Sequence, residues 1–313
     1  MERLNKRPRG ALQRPRNIFD AARDRNTGEI AQMLAGGADP NGIEFKIHGA
    51  PPLATALAWS SGNKEQALAC AKLLLDAGAE PNWCADENQW GASTWAAIND
   101  FPEILSLLIE RGASLRPERD GWTAMSMAAR KGHAECIGVL AKAGAGFDRQ
   151  GSRTDVHHPL ALAILSEERS LSTIKALAKA GASLDEKDPM GRTAAWKVLA
   201  VSAQKEAASR LALLARLGAS VDEPDLQGET IAMAAAKEGK AKVLAAAFAG
   251  GADARRKDRS GKSLMDWALE GAAARGSNAC AELVRKALAA AEAADIDKAA
   301  APGNSARSGR LRM

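Results

Sequence analysis

Short amphipathic stretches recur along the chain, and each of them ends in Gly-Ala. The stretch Lys131 to Ala145, KGHAECIGVLAKAGA, is one example. Apolar residues three and four positions apart, such as Ile104, Leu107 and Leu108, form one apolar stripe on an α-helix. The pattern therefore predicts a series of short helices, each ended by a glycine in the left-handed conformation.

The glycines of the seven Gly-Ala pairs lie 32 to 41 residues apart. A period in this range indicates a stack of repeated two-helix units, in which each unit is stabilised by its neighbours rather than by one common core. The seven glycines are Gly37, Gly78, Gly112, Gly144, Gly181, Gly218 and Gly251.

A second landmark follows the same period: a glycine, followed two positions later by Ser or Thr. A hydroxyl there can accept a hydrogen bond from the free N–H groups of a first helical turn, so it predicts a helix start. Five positions after the cap comes a small residue, as at Ala128, Ala235 and Ala268, which would let neighbouring helices approach closely. The predicted pairs are Gly91/Ser93, Gly121/Thr123, Gly191/Thr193, Gly228/Thr230 and Gly261/Ser263.

The stretch Asp120 to Ala145, DGWTAMSMAARKGHAECIGVLAKAGA, resembles the ankyrin repeat almost phrase by phrase. GGADPN (36–41) and AGAEPN (77–82) resemble the Gly-Ala-Asp-x-Asn ending of the same family. The resemblance implies an all-α solenoid, an array of about eight helix-turn-helix units with short β-hairpin or loop fingers between them. The units are expected to start near 17, 49, 91, 121, 156, 191, 228 and 261.

Three segments are expected from this resemblance. A basic, flexible N-terminal segment covers 1–16, the ankyrin-repeat array covers 17–290, and a flexible basic tail covers 291–313. Pro51 and His158 replace the capping threonine, and units two, five and six carry extra residues, so the stacking is expected to be irregular in the middle.

One departure from the family concerns the histidine of its Thr-Pro-Leu-His motif, which helps to link neighbouring fingers by hydrogen bonds. Its loss predicts looser coupling between fingers, or another linking device. The residues that replace it are Ala54, Ala96, Ser126, Ala161, Trp196, Met233 and Asp266.

The composition is consistent with a core built of many small layers of side chains, because aromatic residues make up only 4% of the 313 residues while 46% are hydrophobic.

No Cys-x-x-Cys pair is present, so the four cysteines suit neither a disulfide framework nor a zinc site. Cys70, Cys136 and Cys280 fall in apolar helical runs and are predicted to be buried, whereas Cys84 is predicted to be the exposed thiol. Cysteine usage indicates an intracellular chain.

The net charge of +5 comes from the ends of the chain. Residues 1–17 carry +5 and residues 301–313 carry +3, which leaves −3 for the residues between them. The basic N-terminus is followed by no hydrophobic segment, so it does not resemble a secretory signal. No apolar run approaches the roughly 18 to 20 residues that span a bilayer.

Catalytic and metal-binding motifs were sought and none is convincing. DRSGKSL (258–264) ends like a phosphate-binding loop, but Arg256 stands where that loop needs glycine, so Ser263 is predicted to be a helix cap. His157 and His158 are adjacent and lack a third ligand at metal spacing. We therefore predict no catalytic residues, no metal, no cofactor and no enzymatic activity.

Residues in and beside the fingers are the candidates for binding. Trp83, Trp90 and Trp122 are predicted anchors, because large aromatic residues are enriched at interface hot spots. Charged finger residues would set specificity, although solvated loops are commonly charged in any case. These charged candidates are Asp185, Glu186, Asp222, Glu223, Arg255 and Arg256.

The resemblance and these residues together predict a non-enzymatic scaffold that binds a protein partner on the concave face of fingers and inner helices. We expect a monomer that acts in the cytoplasm, with the nucleus, or a host cell if the chain is a bacterial effector, as alternatives. Two other functions stay open: a nuclear or nucleic-acid-associated factor that acts through the basic ends, and an adaptor subunit of a larger enzyme complex.

Overall fold

A computed structural model describes most of the chain and contains only helices and the loops between them. The described residues are 17–42, 50–58, 63–82, 90–116, 121–147, 158–167 and 169–298, with the backbone of 299–300. They hold fifteen α-helices and one 3₁₀ helix, arranged in eight consecutive pairs. The predicted all-α repeat architecture is confirmed. Trp83, Cys84, His48, His157 and both basic ends lie outside the described residues.

The first four helix pairs form one compact unit within residues 1–153. First helices pack on first helices along this unit, and second helices pack on second helices. The pairs are α1 (Ile18–Arg23) with α2 (Thr27–Ala35), α3 (Pro52–Ala58) with α4 (Lys64–Asp76), α5 (Ala92–Ile98) with α6 (Pro102–Glu110), and α7 (Ala124–Lys131) with α8 (Ala134–Lys142).

The other four pairs form a second compact unit within residues 154–313, and its helices pack by the same rule. The last helix, α15, extends past residue 290, where the array was predicted to end. The pairs are α9 (Pro159–Leu165) with α10 (Ser170–Lys179), the 3₁₀ helix (Ala194–Ala200) with α11 (Gln204–Arg216), α12 (Ile231–Lys237) with α13 (Ala241–Ala249), and α14 (Leu264–Arg275) with α15 (Ala279–Ala300).

Alanine and leucine side chains fill the interior of each unit in thin layers. Leu57, Leu74 and Leu105 are fully buried in the first unit, and alanines such as Ala128 let adjacent helices pack closely. Burying a leucine-sized side chain contributes about 1.5–3 kcal/mol, and each two-helix pair buries its own on the neighbouring pairs. Stability is therefore shared between repeats.

The seven predicted helix-ending glycines all have left-handed backbone angles, with φ between 79° and 96°. After α8, for example, the N–H of Ala145 donates to the carbonyl of Leu140 at 2.9 Å and that of Gly144 to Ala141 at 3.0 Å. These are the two hydrogen bonds of a Schellman cap, which needs a left-handed residue where Gly144 stands. The sequence prediction is confirmed.

Three of the five predicted caps form, and two do not. Thr123, Thr230 and Ser263 accept from a backbone N–H of the first turn. The prediction is wrong for Ser93, because α5 begins two residues earlier than a Ser93 cap requires, and its first hydrogen bond goes to the carbonyl of Gly91. It is wrong for Thr193 as well.

The 3₁₀ helix explains the missing cap at Thr193. The N–H of Trp196 already donates to the Thr193 carbonyl at 3.1 Å, the shorter hydrogen-bond span of a 3₁₀ helix. The Thr193 hydroxyl forms no cap hydrogen bond as a result. The sixth repeat thus departs from the α-helical geometry of the other first helices, within the region where irregular stacking was expected.

Polar side chains from the following repeat bind the carbonyl groups at the ends of first helices. These carbonyls have no partner within their own helix, and a cation or amide supplies one. Arg210 donates to Ile164 at 2.7 Å and Arg275 to Lys237 at 2.7 Å. The other three pairs are Asn99 with Leu57, His133 with Ile98, and Lys240 with Leu199.

Gly271 marks the closest approach between neighbouring first helices. A Cβ atom at Gly271 would lie 2.4 Å from the Ala236 carbonyl oxygen and 2.8 Å from that of Lys237. Both are backbone atoms of α12, so a side chain fits only if the helices separate. At Gly138, inside α8, the same added atom meets nothing within 4 Å.

We predict opposite effects for alanine at these two glycines. Gly271→Ala should lower the free energy of unfolding by about 1–3 kcal/mol because it overpacks α12 against α14. Gly138→Ala should raise it by about 0.5–1 kcal/mol because alanine favours the helix. Urea denaturation followed by circular dichroism measures both, and equal effects of the two substitutions would contradict the packing described.

Candidate functional site

The fingers are the loops that join the second helix of one repeat to the first helix of the next. In the second unit, each of three fingers turns on an Asp-x-x-Gly tip that begins at Asp188, Asp225 or Asp258. One oxygen of each carboxylate accepts from the N–H groups two and four residues further on, at 2.8 to 3.0 Å. These hydrogen bonds fix the tip without help from any partner.

Neighbouring fingers in this unit are joined by backbone hydrogen bonds. The N–H of Leu226 donates to the carbonyl of Met190 at 2.9 Å, and that of Arg259 to Gln227 at 3.0 Å. The approach needs glycine at the tip, since a Cβ at Gly228 would lie 2.7 Å from the Arg259 nitrogen. Isolated antiparallel bridges, Lys187 with Thr193 and Lys257 with Ser263, close two of the fingers.

Asp225 also supplies the linking device expected in place of the missing histidine. Its second oxygen accepts from both Nε and Nη2 of Arg192 in the preceding finger, at 3.1 and 3.0 Å. The Arg192 guanidinium lies 4.5 Å from the ring centre of Trp196, which is buried. The Asp225 carboxylate is fully enclosed while the Arg192 side chain is 33% exposed, so two guanidinium N–H groups converge on one oxygen of a buried carboxylate.

Two apolar side chains at adjacent finger tips, Met190 and Leu226, remain open to solvent. Their exposed fractions are 49% and 50%, and we call the pair the fingertip patch. Neither residue was predicted from the sequence. A signal was present, because each is an apolar residue between the Asp and Gly of a tip, where the third finger has Arg259 and Ser260.

The two described tryptophan candidates both contact neighbouring side chains and are partly exposed. Trp90 packs edge-on against Trp95, with ring centres 5.3 Å apart. Trp122 lies beneath the guanidinium of Arg130, 5.4 Å from the ring centre. Each therefore has a structural contact and a face that a partner could reach. Trp83 lies outside the described residues.

The acidic candidates contact other repeats. The Asp185 carboxylate accepts from the N–H of Ser220 at 2.9 Å, as Asn41 accepts from Glu80 and Asn82 from Ser114. Glu186 lies 3.3 Å from Nε2 of the buried His158, and Glu223 lies 2.6 Å from Nζ of Lys187. The hydrogen bond from Lys187 lowers the pKa of Glu223.

The basic candidates are also paired. Arg255 bonds Asp295 at 2.7 Å and the carbonyl of Ala291 at 2.9 Å, both on α15. Arg256 bonds the carboxylate and the backbone carbonyl of Asp222. Burial raises the pKa of Asp222, while the Arg256 guanidinium acts in the opposite direction. The charged finger residues thus join repeats, and each keeps only part of its surface for a partner.

One cluster in the first unit superficially resembles a catalytic set. Asp100 lies 3.6 Å from Nδ1 of His133 and 3.9 Å from the sulfur of Cys136. Burial, and next the Asp100 carboxylate, raise the pKa of the Cys136 thiol to about 12. A nucleophilic cysteine needs the opposite shift and an accessible sulfur, whereas Cys136 is fully buried. The cluster holds the α5–α6 turn in place.

The other motifs considered for chemistry have structural roles. Ser263 forms a reciprocal capping box with Asp266 at the start of α14. His158 is buried against Glu186. Among the residues that the structure describes, no three His, Cys, Asp or Glu side chains gather as a metal site would require. Within the same residues, no helix is both long and apolar enough to cross a membrane.

Known proteins share the repeat and the fold. The family described as "Ankyrin repeats (3 copies)" matches residues 57–151 and 95–188. The crystal structure of the ankyrin repeat domain of Bcl-3, described as a unique member of the IkappaB protein family, matches with a TM-score of 0.54. That match covers 87% of this chain and 98% of the Bcl-3 chain at 17% identity, which shows a common fold.

A curated relative shares a shorter segment. Glycerophosphocholine phosphodiesterase gde1 of Schizosaccharomyces pombe (strain 972 / ATCC 24843) is 30% identical over 105 residues. The match covers 33% of this chain and spans only 8% of the length of that protein.

We predict that Asp225→Ala destabilises the second unit by about 2–4 kcal/mol. The substitution removes the hydrogen bonds that fix the tip and leaves the Arg192 guanidinium without its carboxylate partner. Asp225→Asn should cost less because the amide oxygen can still accept the two backbone hydrogen bonds. Thermal unfolding of both variants provides the measurement, and equal stability of Asp225→Ala and the unsubstituted chain would contradict the coupling role.

The reactivity of the thiols in a Cys84→Ser variant tests whether the other three cysteines are buried in the folded chain. Cys70, Cys136 and Cys280 should not react with Ellman's reagent at pH 8 until guanidinium unfolds the chain. Raising the pH to 10 should have little effect on the folded variant, because burial raises the pKa of Cys70 to about 11 and that of Cys136 to about 12. A fast-reacting thiol in the folded variant would show that a described cysteine is accessible.

Proposed function

We propose that this chain, which has the ankyrin-repeat fold, is a non-enzymatic module that binds a protein partner through its fingers and first helices. The fingertip patch, Met190 and Leu226, is the main support for this proposal. Two apolar side chains, each about half exposed, stand on a backbone that is already fixed by hydrogen bonds. A partner that covers them gains apolar burial and orders no loop in return.

The residues around the patch fit the anatomy of a protein interface. Interfaces combine an apolar centre with a polar, partly solvated rim. Glu186, Glu223 and Arg256 have side chains that are 32%, 38% and 38% exposed, so they can form such a rim while they keep their intrachain partners. Asp185, Asp222 and Arg255 are proposed to contribute in the same way.

The tryptophans are the proposed anchors of the first unit. Trp90 and Trp122 are already held against Trp95 and Arg130, so little side-chain entropy is lost when a partner covers their exposed faces. Trp83 is included on the strength of its position in the sequence. In both units the contact surface is thus proposed to consist of finger residues and the residues that begin the first helices.

The role proposed for the whole chain is that of a monomeric scaffold or adaptor in the cytoplasm. The described residues support a non-enzymatic role, because the Asp100–His133–Cys136 cluster has a buried thiol with a raised pKa. The curated relative is named a phosphodiesterase, but only 8% of its length is matched, so its activity is not proposed for this chain.

Affinity capture from the native cell, quantified by mass spectrometry, tests the proposal. Met190→Ser/Leu226→Ser should reduce capture of the main partner at least about tenfold, since truncating an interface centre costs more than 1 kcal/mol per residue. A matched control, Leu217→Ser/Ile296→Ser, replaces two exposed apolar residues away from the finger tips and should capture normally.

A second variant examines the first unit in the same experiment. The triple substitution Trp83→Ala/Trp90→Ala/Trp122→Ala should weaken capture, and its thermal unfolding must be measured because two of these rings have packing partners. Capture of the same proteins at the same strength by both variants would refute the assignment of the face. Absence of any protein enriched over uncoated beads would refute the binding function.

A further inference from the structure

The outward face of α11, in the second unit, carries a feature that the finger surface does not explain. Positions 205, 209, 212 and 216 follow one another at intervals of three or four residues, and 208 lies beside 209, so the five form one stripe along the helix. Its ends are Lys205 and Arg216, about 16 Å apart along the helix axis. Between them stand alanines and a serine, including Ala208 and Ala212.

A cavity with a volume of about 600 Å³ lies over this stripe, and we call it the α11 groove. Two further helices complete it, α10 through Lys175 and α13 through Lys242. α11 packs closely on α13 but touches α10 at few positions, so the groove opens on the α10 side. The small side chains of Ala208 and Ala212 leave its floor apolar and recessed.

The four cations of the α11 groove gather around one apolar floor. Lys175, Lys205, Arg216 and Lys242 are exposed, and none of them forms an ion pair or side-chain hydrogen bond with a described residue. No acidic residue lines the groove among the residues described.

The nearest acidic side chain on the same helix is already engaged. Glu206 lies beside the stripe and bonds Arg210 at 3.1 Å, and it lines a separate hollow with Glu167. By contrast, Lys187 and Arg256 on the fingers of this unit have intrachain carboxylate partners. Four uncompensated positive charges around an apolar floor therefore make a surface complementary to a ligand with acidic edges and an apolar centre.

We propose that the α11 groove binds an acidic amphipathic helix, about three turns long, of a protein partner. Such a helix places apolar residues on the alanine floor and Asp or Glu residues against the four cations. This site goes beyond the finger interface and does not depend on it.

The lining residues favour a helix over the other anionic partners. No aromatic side chain lines the groove among the residues described, so bases would have nothing on which to stack. The surface is recessed between helices, whereas proteins that bind membranes insert protruding Trp, Phe or Leu side chains. The three-turn stripe matches the length of a helical peptide motif.

Selection of peptides on the full-length chain tests the proposal directly. A phage library of random 16-residue peptides is selected on the unsubstituted chain, and enriched peptides are synthesised with a fluorescent label. Peptides with Asp or Glu three or four positions apart, opposite a Leu or Ile stripe, are expected. Their affinity should fall at least about tenfold in Lys205→Glu/Arg216→Glu, because two attractions become repulsions.

Control variants distinguish a loss of binding at the α11 groove from a general effect of the changed net charge. Lys72→Glu/Lys142→Glu makes the same charge change on exposed second-helix lysines of the first unit and should leave binding unchanged. Circular dichroism verifies folding, and Lys175→Glu/Lys242→Glu repeats the test from the flanking helices if the first variant fails to fold.

Two kinds of result would overturn the proposal. Selected peptides that are not acidic, or that bind the groove variants as tightly as the unsubstituted chain, would exclude the α11 groove as an acidic-helix site. Displacement of the peptides by a 20-base-pair DNA duplex or by phosphatidylserine vesicles, with tighter binding of either, would assign the same cations to nucleic acid or membrane.

Discussion

The carbonyl groups at the ends of the first helices determine how the repeats depend on one another. These helices have only six to twelve residues, so the carbonyls of their last turn are a large share of all their backbone acceptors. A side chain from the next repeat binds one of them in each of five pairs, as Arg210 binds Ile164. A single repeat would leave those groups unpaired and its alanine and leucine layers exposed. Neighbouring repeats therefore complete both the hydrogen bonding and the burial of each pair.

The same dependence determines which finger residues are available to a partner. In most of the charged finger positions, a side chain is already committed to another repeat, as Asp225 is to Arg192 and Asp222 to Arg256. Two of the surfaces that remain open are the apolar tips of two fingers and the cationic outer face of α11. The sequence alone does not show which charged side chains are paired within the chain and which are open to a partner, because the pairing depends on the fold.

Short-range features could be predicted from the sequence, and long-range ones could not. The left-handed Gly144 and the cap Thr123 depend on residues within one helical turn, so the local pattern was enough. The caps at Ser93 and Thr193 were wrongly predicted because α5 begins two residues earlier and because a 3₁₀ turn uses different hydrogen bonds. The Arg192–Asp225 link spans 33 residues, and only the folded chain shows that Met190 and Leu226 are adjacent.

Each finger tip separates the residues that shape the turn from those that face the solvent. Asp and Gly fix the turn through backbone hydrogen bonds and a close approach. Of the residues between them, Ser260 adds a hydrogen bond from its hydroxyl to Asp258 at 2.6 Å, whereas Met190 and Leu226 extend their side chains to the solvent. Under the proposed function, stability and recognition are encoded at different positions of the same four-residue loop. Exchange of the apolar tip residues would then change the preferred partner and leave the stack of repeats intact.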